Sequence, residues 1–133
     1  MVTSWNSAST SEARSIGAMS SSESSGNWLV FEERVLATLE IATNRRDRRR
    51  GLLGRDGVEG AMLLLPAKSV HTFGMRFTID VAHLDADGTV LRLRTMKPNR
   101  LGAFLLRSRS VIETEAAAFA RWGVIEGDRL EIR

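Results

Sequence analysis

The stretch from Phe77 to Met96, FTIDVAHLDADGTVLRLRTM, constrains the fold more than any other part of the chain. Two apolar, β-prone runs flank Asp85, Ala86, Asp87 and Gly88, where acidic side chains can bond nearby amides and the glycine accepts a positive φ. This predicts a hairpin. In its second arm, strict alternation puts Leu91, Leu93 and Thr95 on one face and Val90, Arg92 and Arg94 on the other, with one face meeting water.

The neighbouring segments read the same way. NWLVFEERVLATLEIA predicts a strand, a tight turn at Glu32 and Glu33, and a second strand antiparallel to the first. GAMLLLP predicts a buried strand stopped by Pro66, since proline cannot donate to a ladder. TNRRDRRRGLLG predicts a short charged helix, capped by Thr43 or Asn44 and ended by Gly51 or Gly54. After a long connection, VIE resumes a strand, Thr114 is expected to cap a helix over EAAAFARW that closes at Gly123, and GVIEGDRLEIR adds a Gly-Asp turn and a last strand. About seven short strands with two short helices and no internal repeat predict a mainly β fold, an antiparallel sandwich or partly closed barrel.

At 133 residues with 43% hydrophobic content, the chain holds one domain. Met1 to Asn27 is rich in Ser, Thr, Ala and Gly and carries too little apolar surface to offset ordering entropy, so a disordered tail is expected there and a globular domain over 28–133. Cysteine is absent, which excludes disulfides, thiolate metal sites and a cysteine nucleophile. No run approaches the ~20 apolar residues of a membrane span, and the N-terminus lacks the apolar and basic regions of a secretion signal; a soluble, cytoplasmic protein is expected. Net charge is +3, and all the basic residues except Lys68 and Lys97 are arginine.

His71 and His83 are the only histidines, twelve positions apart, and offer no convergent ligand set; no metal or cofactor is expected. Asp80, between Ile79 and Val81, faces solvent or a cleft if those two face the core; turned inward it would need a cation, with Arg50, Arg55 and Arg76 the obvious partners. Glu59 and Glu113 could in principle serve as paired carboxylates, although a carboxylate at Glu113 would also suit the start of a helix. The cluster Arg45, Arg46, Arg48, Arg49, Arg50 and Arg55 could attract phosphate backbone, but the aromatic residues fall where a core wants them, so nucleic acid is not the expected partner. Met62, Met75 and Met96 read as core filling.

In order and spacing, RRRGLLGR, EGAMLLLP, HTFGMRFTIDVAHLDADG, VIETEAAAFARWGV and EGDRLEI resemble the family called domain of unknown function 192, over roughly Glu40 to Ile132. The matching positions are Arg50, Gly51 and Leu52, then Arg55, Glu59, Gly60, Met75, Asp80 and Glu113, and finally Gly127 with Asp128. The chain departs at Gly74, where many relatives have tryptophan, and at Ala117 or its neighbour, where they have glycine. The resemblance implies a mainly β bacterial or archaeal protein without an established activity.

The leading expectation is a small, non-enzymatic binding or accessory domain. Its cleft would lie between HTFGMRFTID and RRRGLLGR, lined by His71, Met75, Asp80, Arg50 and Arg55 with Arg76 nearby, and would take an anionic or polar ligand or a partner protein. Glu59, Glu113 and Asp128 remain structural or site residues. The alternatives are a hydrolase acting on a sugar or peptide-like polymer through Glu59, Asp80 or Glu113, and nucleic-acid association through the Arg45 to Arg55 helix.

Overall fold

The computed structural model describes Val2–Thr3 and residues 26–133; most of the tail expected over Met1 to Asn27 lies outside the described residues. The strands are β1 (Val2–Thr3), β2 (Asn27–Phe31), β3 (Arg34–Ala42), β4 (Ala61–Leu64), β5 (Ser69–Val70), β6 (Ile79–Leu84), β7 (Val90–Met96), β8 (Ser110–Glu115) and β9 (Glu131–Ile132), with helices α1 (Arg45–Arg50) and α2 (Ala118–Trp122). Seven strands form one curled sheet in the order β7-β6-β8-β4-β3-β2-β9, and β1 pairs with β5 apart from it. The two ends of the sheet are tied together: Val90 N donates to Asp128 O and Gly127 N to Val90 O, both at 2.8 Å, and Leu130 N donates to Gly88 O at 2.9 Å. The fold is therefore the partly closed barrel of the two architectures expected. Among the described residues no helix is long and apolar enough to cross a membrane.

One pairing differs from expectation. β3 and β4 run parallel, Leu39 opposite Ala61 and Ala42 opposite Leu64, so the sheet is mixed. Helix α1 and the loop after it supply the crossover that parallel strands require. Where that crossover re-enters the sheet the backbones nearly touch: a Cβ on Gly60, at φ +79°, would lie 2.4 Å from Thr38 Oγ1 and 2.7 Å from Thr38 O. Only glycine fits there.

Burial follows from this order. β4 and β6 are buried at every position and β8 at all but Glu115, because both faces of the central strands are covered. Inside the barrel, Leu29, Phe31, Leu63, Leu84, Val90 and Ile112 pack with Phe119 of α2 and with Leu130. On the outer face, Met62, Leu64, Ile79, Val81 and Val111 pack with Leu52 from α1's exit, Val70 of β5, Met75 from the loop after it and Met96 at the end of β7. Each fully buried leucine or isoleucine contributes about 2 kcal/mol.

Asn44 caps α1, its side chain accepting from Asp47 N, and Gly51 closes the helix. α2 begins differently from expectation. Thr114 stays in β8, opposite Ala61 on one side and Asp80 on the other, and donates its hydroxyl to Gly60 O at 2.8 Å. The helix instead follows Ala117, which lies at φ 72° and whose own side chain offers no cap. Two ladders hold Thr114 in extended conformation, and the chain turns sharply only after the sheet ends.

A left-handed backbone costs an alanine roughly 1–2 kcal/mol, part of which glycine returns through its looser unfolded chain. Ala117→Gly is therefore expected to stabilise the fold by about 1 kcal/mol, read as a higher midpoint in urea unfolding; a midpoint that stays put or falls would show that Ala117 is unstrained.

Candidate functional site

A groove opens on the outer face at the β7 edge of the sheet. Cross-strand pairs place His83 opposite Arg92, Val81 opposite Arg94 and Ile79 opposite Met96, so all six side chains share that face. Beyond Met96 the chain folds back along the edge and is held there by Thr72, which is fully buried. Thr72 Oγ1 donates to Lys97 O at 2.6 Å and accepts from Arg100 N at 2.8 Å, while Asn99 N donates to Thr72 O at 2.8 Å. Gly102 N donates to Val70 O at 2.9 Å, an approach so close that a Cβ would sit 2.5 Å from that oxygen. The resulting cavity of about 430 Å³ has Val81, His83 and Met96 at its floor and Arg92, Arg94, Lys97 and Arg100 around it.

None of the described residues lining this groove is acidic. The nearest counter-charge is Glu126, whose Oε2 lies 3.7 Å from Arg94 Nη1 and also accepts from Leu93 N. Arg100 Nη1 donates to Pro98 O at 3.2 Å. His83 is 3% exposed, and its Nδ1 lies 3.1 Å from Ser108 Oγ. Burial, reinforced by the charges of Arg92 and Arg94, drives its pKa down to about 4, so the ring is neutral at pH 7.

The residues expected to form one cleft do not converge. Asp80 is buried on the barrel-interior face, where Oδ1 accepts from Thr95 Oγ1 at 2.8 Å and Oδ2 accepts from Phe119 N at 3.3 Å. It caps the start of α2 from across the sheet and has no arginine partner among the described residues. Arg55 forms a bidentate pair with Glu40 at 3.1 Å, and Arg76 pairs with Asp56 at 2.9 Å; both pairs are solvent-facing and contribute little. Arg50 is exposed at the end of α1, and Met75 is buried in the outer core. His71 bridges to Leu101, stacks on Phe73 with ring centroids 4.5 Å apart, and has its pKa lowered by burial. Asp128 Oδ2 accepts from Ile125 N at 2.8 Å within its turn, and Glu59 is exposed before β4. No three His, Cys, Asp or Glu side chains converge as metal ligands among the described residues.

The four cations of the groove were missed because they come from a strand and the loop after it. Register counting does not find them: outward from Asp85–Gly88 it pairs His83 with Val90, and only the irregular register of the hairpin brings His83 opposite Arg92.

Glu113 is the other unusual group. It lies on the outer face between Met62 and Val81, 4% exposed, with Oε1 unpartnered and a Cβ built on Gly51 only 3.2 Å from that oxygen. Burial raises its pKa to about 7. A carboxyl that binds its proton more tightly when folded contributes full stability below its unfolded value of 4.5, and that contribution is lost as pH rises through 7. Unfolding free energy is expected to fall by on the order of 3 kcal/mol between pH 4.5 and 8 on this account. Glu113→Gln should flatten that decline in denaturant titrations; an equal decline in both proteins would assign it to other groups.

Comparison with known proteins supports the architecture. A crystal structure of a protein of unknown function from Novosphingobium aromaticivorans DSM 12444 matches with a TM-score of 0.66 at 17% identity, covering 79% of this chain and 82% of that one. A "putative transcription regulator" from Sinorhizobium meliloti 1021 matches with a TM-score of 0.64 at 24% identity, covering 79% and 90%. At such identities the likeness concerns the fold alone. No curated protein matches the sequence. The family model DUF192, described as Uncharacterized ACR, covers residues 29–132, and the chain belongs to that uncharacterised family.

Proposed function

We propose that this chain is a small, non-enzymatic binding domain whose ligand is an anion held in the groove between β7 and the loop that follows it. One observation carries the reading: Arg92, Arg94, Lys97 and Arg100 surround a single cavity whose lining includes no acid among the described residues. Like charges gathered in this way repel one another and raise the local concentration of anions, and guanidinium groups present paired donors matched to oxyanions. The groove takes the place of the cleft expected between the arginine helix and the hairpin. A carboxylate-bearing tail of a partner protein would meet the same four cations, and the cavity of about 430 Å³ has room for a whole oxyanion.

The hydrolytic reading lacks geometric support. Asp80 lies opposite Thr114 and Glu113 opposite Val81, so the two carboxylates project from opposite faces of the sheet. Glu59 is on neither face. The arginines of α1 divide into one buried residue, Arg48, whose Nη1 donates to Thr43 O and to Leu65 O, and an exposed remainder on a single short helix.

An anion that binds the folded state alone raises stability by about 2.7 kcal/mol at a hundredfold excess over its Kd. At low ionic strength, inorganic phosphate is expected to raise the melting temperature of the protein in a saturable manner. The Arg92→Ala/Lys97→Ala variant should need at least tenfold more, whereas Arg45→Ala/Arg46→Ala should behave as the parent does. A parent protein indifferent to phosphate, sulfate and citrate alike would end the proposal, as would equal losses in both variants.

A further inference from the structure

Resting on the anion-groove reading, we infer that the groove selects an oxyanion that retains a proton at neutral pH, monohydrogen phosphate, over dianions that carry none, and that His83 Nε2 is the acceptor that makes the choice.

The inference follows from counting protons around one hydroxyl. Ser108 Oγ lies 2.8 Å from Ala67 O and 3.2 Å from Ser110 O, and a carbonyl oxygen can only accept. The single hydroxyl proton is therefore committed to a carbonyl. His83 Nδ1, 3.1 Å from the same Oγ, must then be the donor in that contact. In a neutral ring, a proton on Nδ1 leaves Nε2 with a free lone pair. Burial and the flanking charges of Arg92 and Arg94 keep a second proton off the ring.

The floor of the groove thus presents a neutral imidazole acceptor among cationic donors, since the ionic groups lining it are guanidinium and ammonium. Sulfate offers acceptor oxygens alone and would set a lone pair against a lone pair. A dianionic phosphate monoester, and a diester such as a lipid headgroup, have the same defect. Monohydrogen phosphate has three oxygens for the cations and one hydroxyl for Nε2. A site built to hydrogen-bond a hydroxyl rejects an analogue without it because a buried polar group is left unpaired.

The test is calorimetric titration at about pH 8, where inorganic phosphate retains one proton while sulfate and methyl phosphate are dianions without one. Phosphate is expected to bind the parent protein at least tenfold more tightly than either. His83→Leu should bring the three affinities within about threefold while retaining binding through the cations. Ser108→Ala, which releases Nδ1 from its partner with little change in volume, should narrow the preference as well and serves if the leucine variant does not fold. Equal affinities in the parent protein would overturn selection by His83 and leave the anion groove standing, as would a phosphate preference undiminished in the folded variants. Absence of binding by all three anions would remove the groove reading and this inference together.

Discussion

The hairpin of β6 and β7 carries one irregularity on which both sides of the sheet depend. The register shifts between His83 and Leu84: His83 lies opposite Arg92, but Leu84 lies opposite Val90, leaving Leu91 as the extra residue. A bulge of this kind re-aims the side chains on one side of it relative to the other. Val90 consequently enters the barrel interior together with Leu93, instead of sharing a face with Arg92 and Arg94 as unbroken alternation requires. The same shift sets Gly88 against the far end of the sheet, where Leu130 O would lie 2.5 Å from any Cβ at that position. Barrel closure and the cationic face are two outcomes of one inserted residue.

Sheet parity also explains why two buried acids one ladder step apart behave so differently. Asp80 points into the barrel, where a helix start and a threonine hydroxyl are aimed at it. Both of its oxygens are thereby hydrogen-bonded. Glu113, from the neighbouring strand, points to the outer face among methionines and valines, beneath a backbone turn whose glycine leaves little space. With Oε1 unpartnered, holding a proton is the less costly state. A carboxyl group of this kind is a stability cost that varies with pH, without the paired acid that hydrolysis would require.

Much of the fold was legible because local chemistry and final structure agree. The Asp85–Gly88 turn closes with Gly88 N donating to Asp85 O, Asn44 caps α1, and the apolar run at Ala61–Leu64 is buried throughout. Legibility ended where tertiary pairing overrode local preference. The turn at Glu32 and Glu33 lies where it is expected, but its φ of 52° and 67° are values that glutamate gives no reason to expect, and strand pairing on both sides imposes them. Thr114 has the chemistry of a cap but two ladders claim it, and the parallel pairing of β3 with β4 has no local signature. The candidate site was less legible still. Residues expected to meet at a cleft were placed by sequence proximity and charge type, whereas sheet parity sends Asp80 inward and solvent-facing acids capture Arg55 and Arg76.

The fate of the arginines is decided by which of them finds an acid. Arg48 is buried and bonded to carbonyls, Arg55 and Arg76 are paired, Arg121 pairs with Glu115, and Arg133 pairs with Glu33 and Glu131. Among the described residues ion pairs engage Arg55, Arg76, Arg94, Arg121 and Arg133, and Arg45, Arg46, Arg49 and Arg50 project from one short exposed helix. Arg92, Arg94, Lys97 and Arg100 differ in being gathered about one cavity, with Glu126 3.7 Å from Arg94. Thr72 and Gly102 hold the loop that contributes Lys97 and Arg100, so the backbone from which these two charges project is fixed by buried hydrogen bonds. A concentration of charge held against its own repulsion lowers stability in the absence of a counter-ion and is relieved by binding one. That energetic asymmetry, more than the shape of the cavity, makes this edge of the sheet the place where the fold favours a ligand.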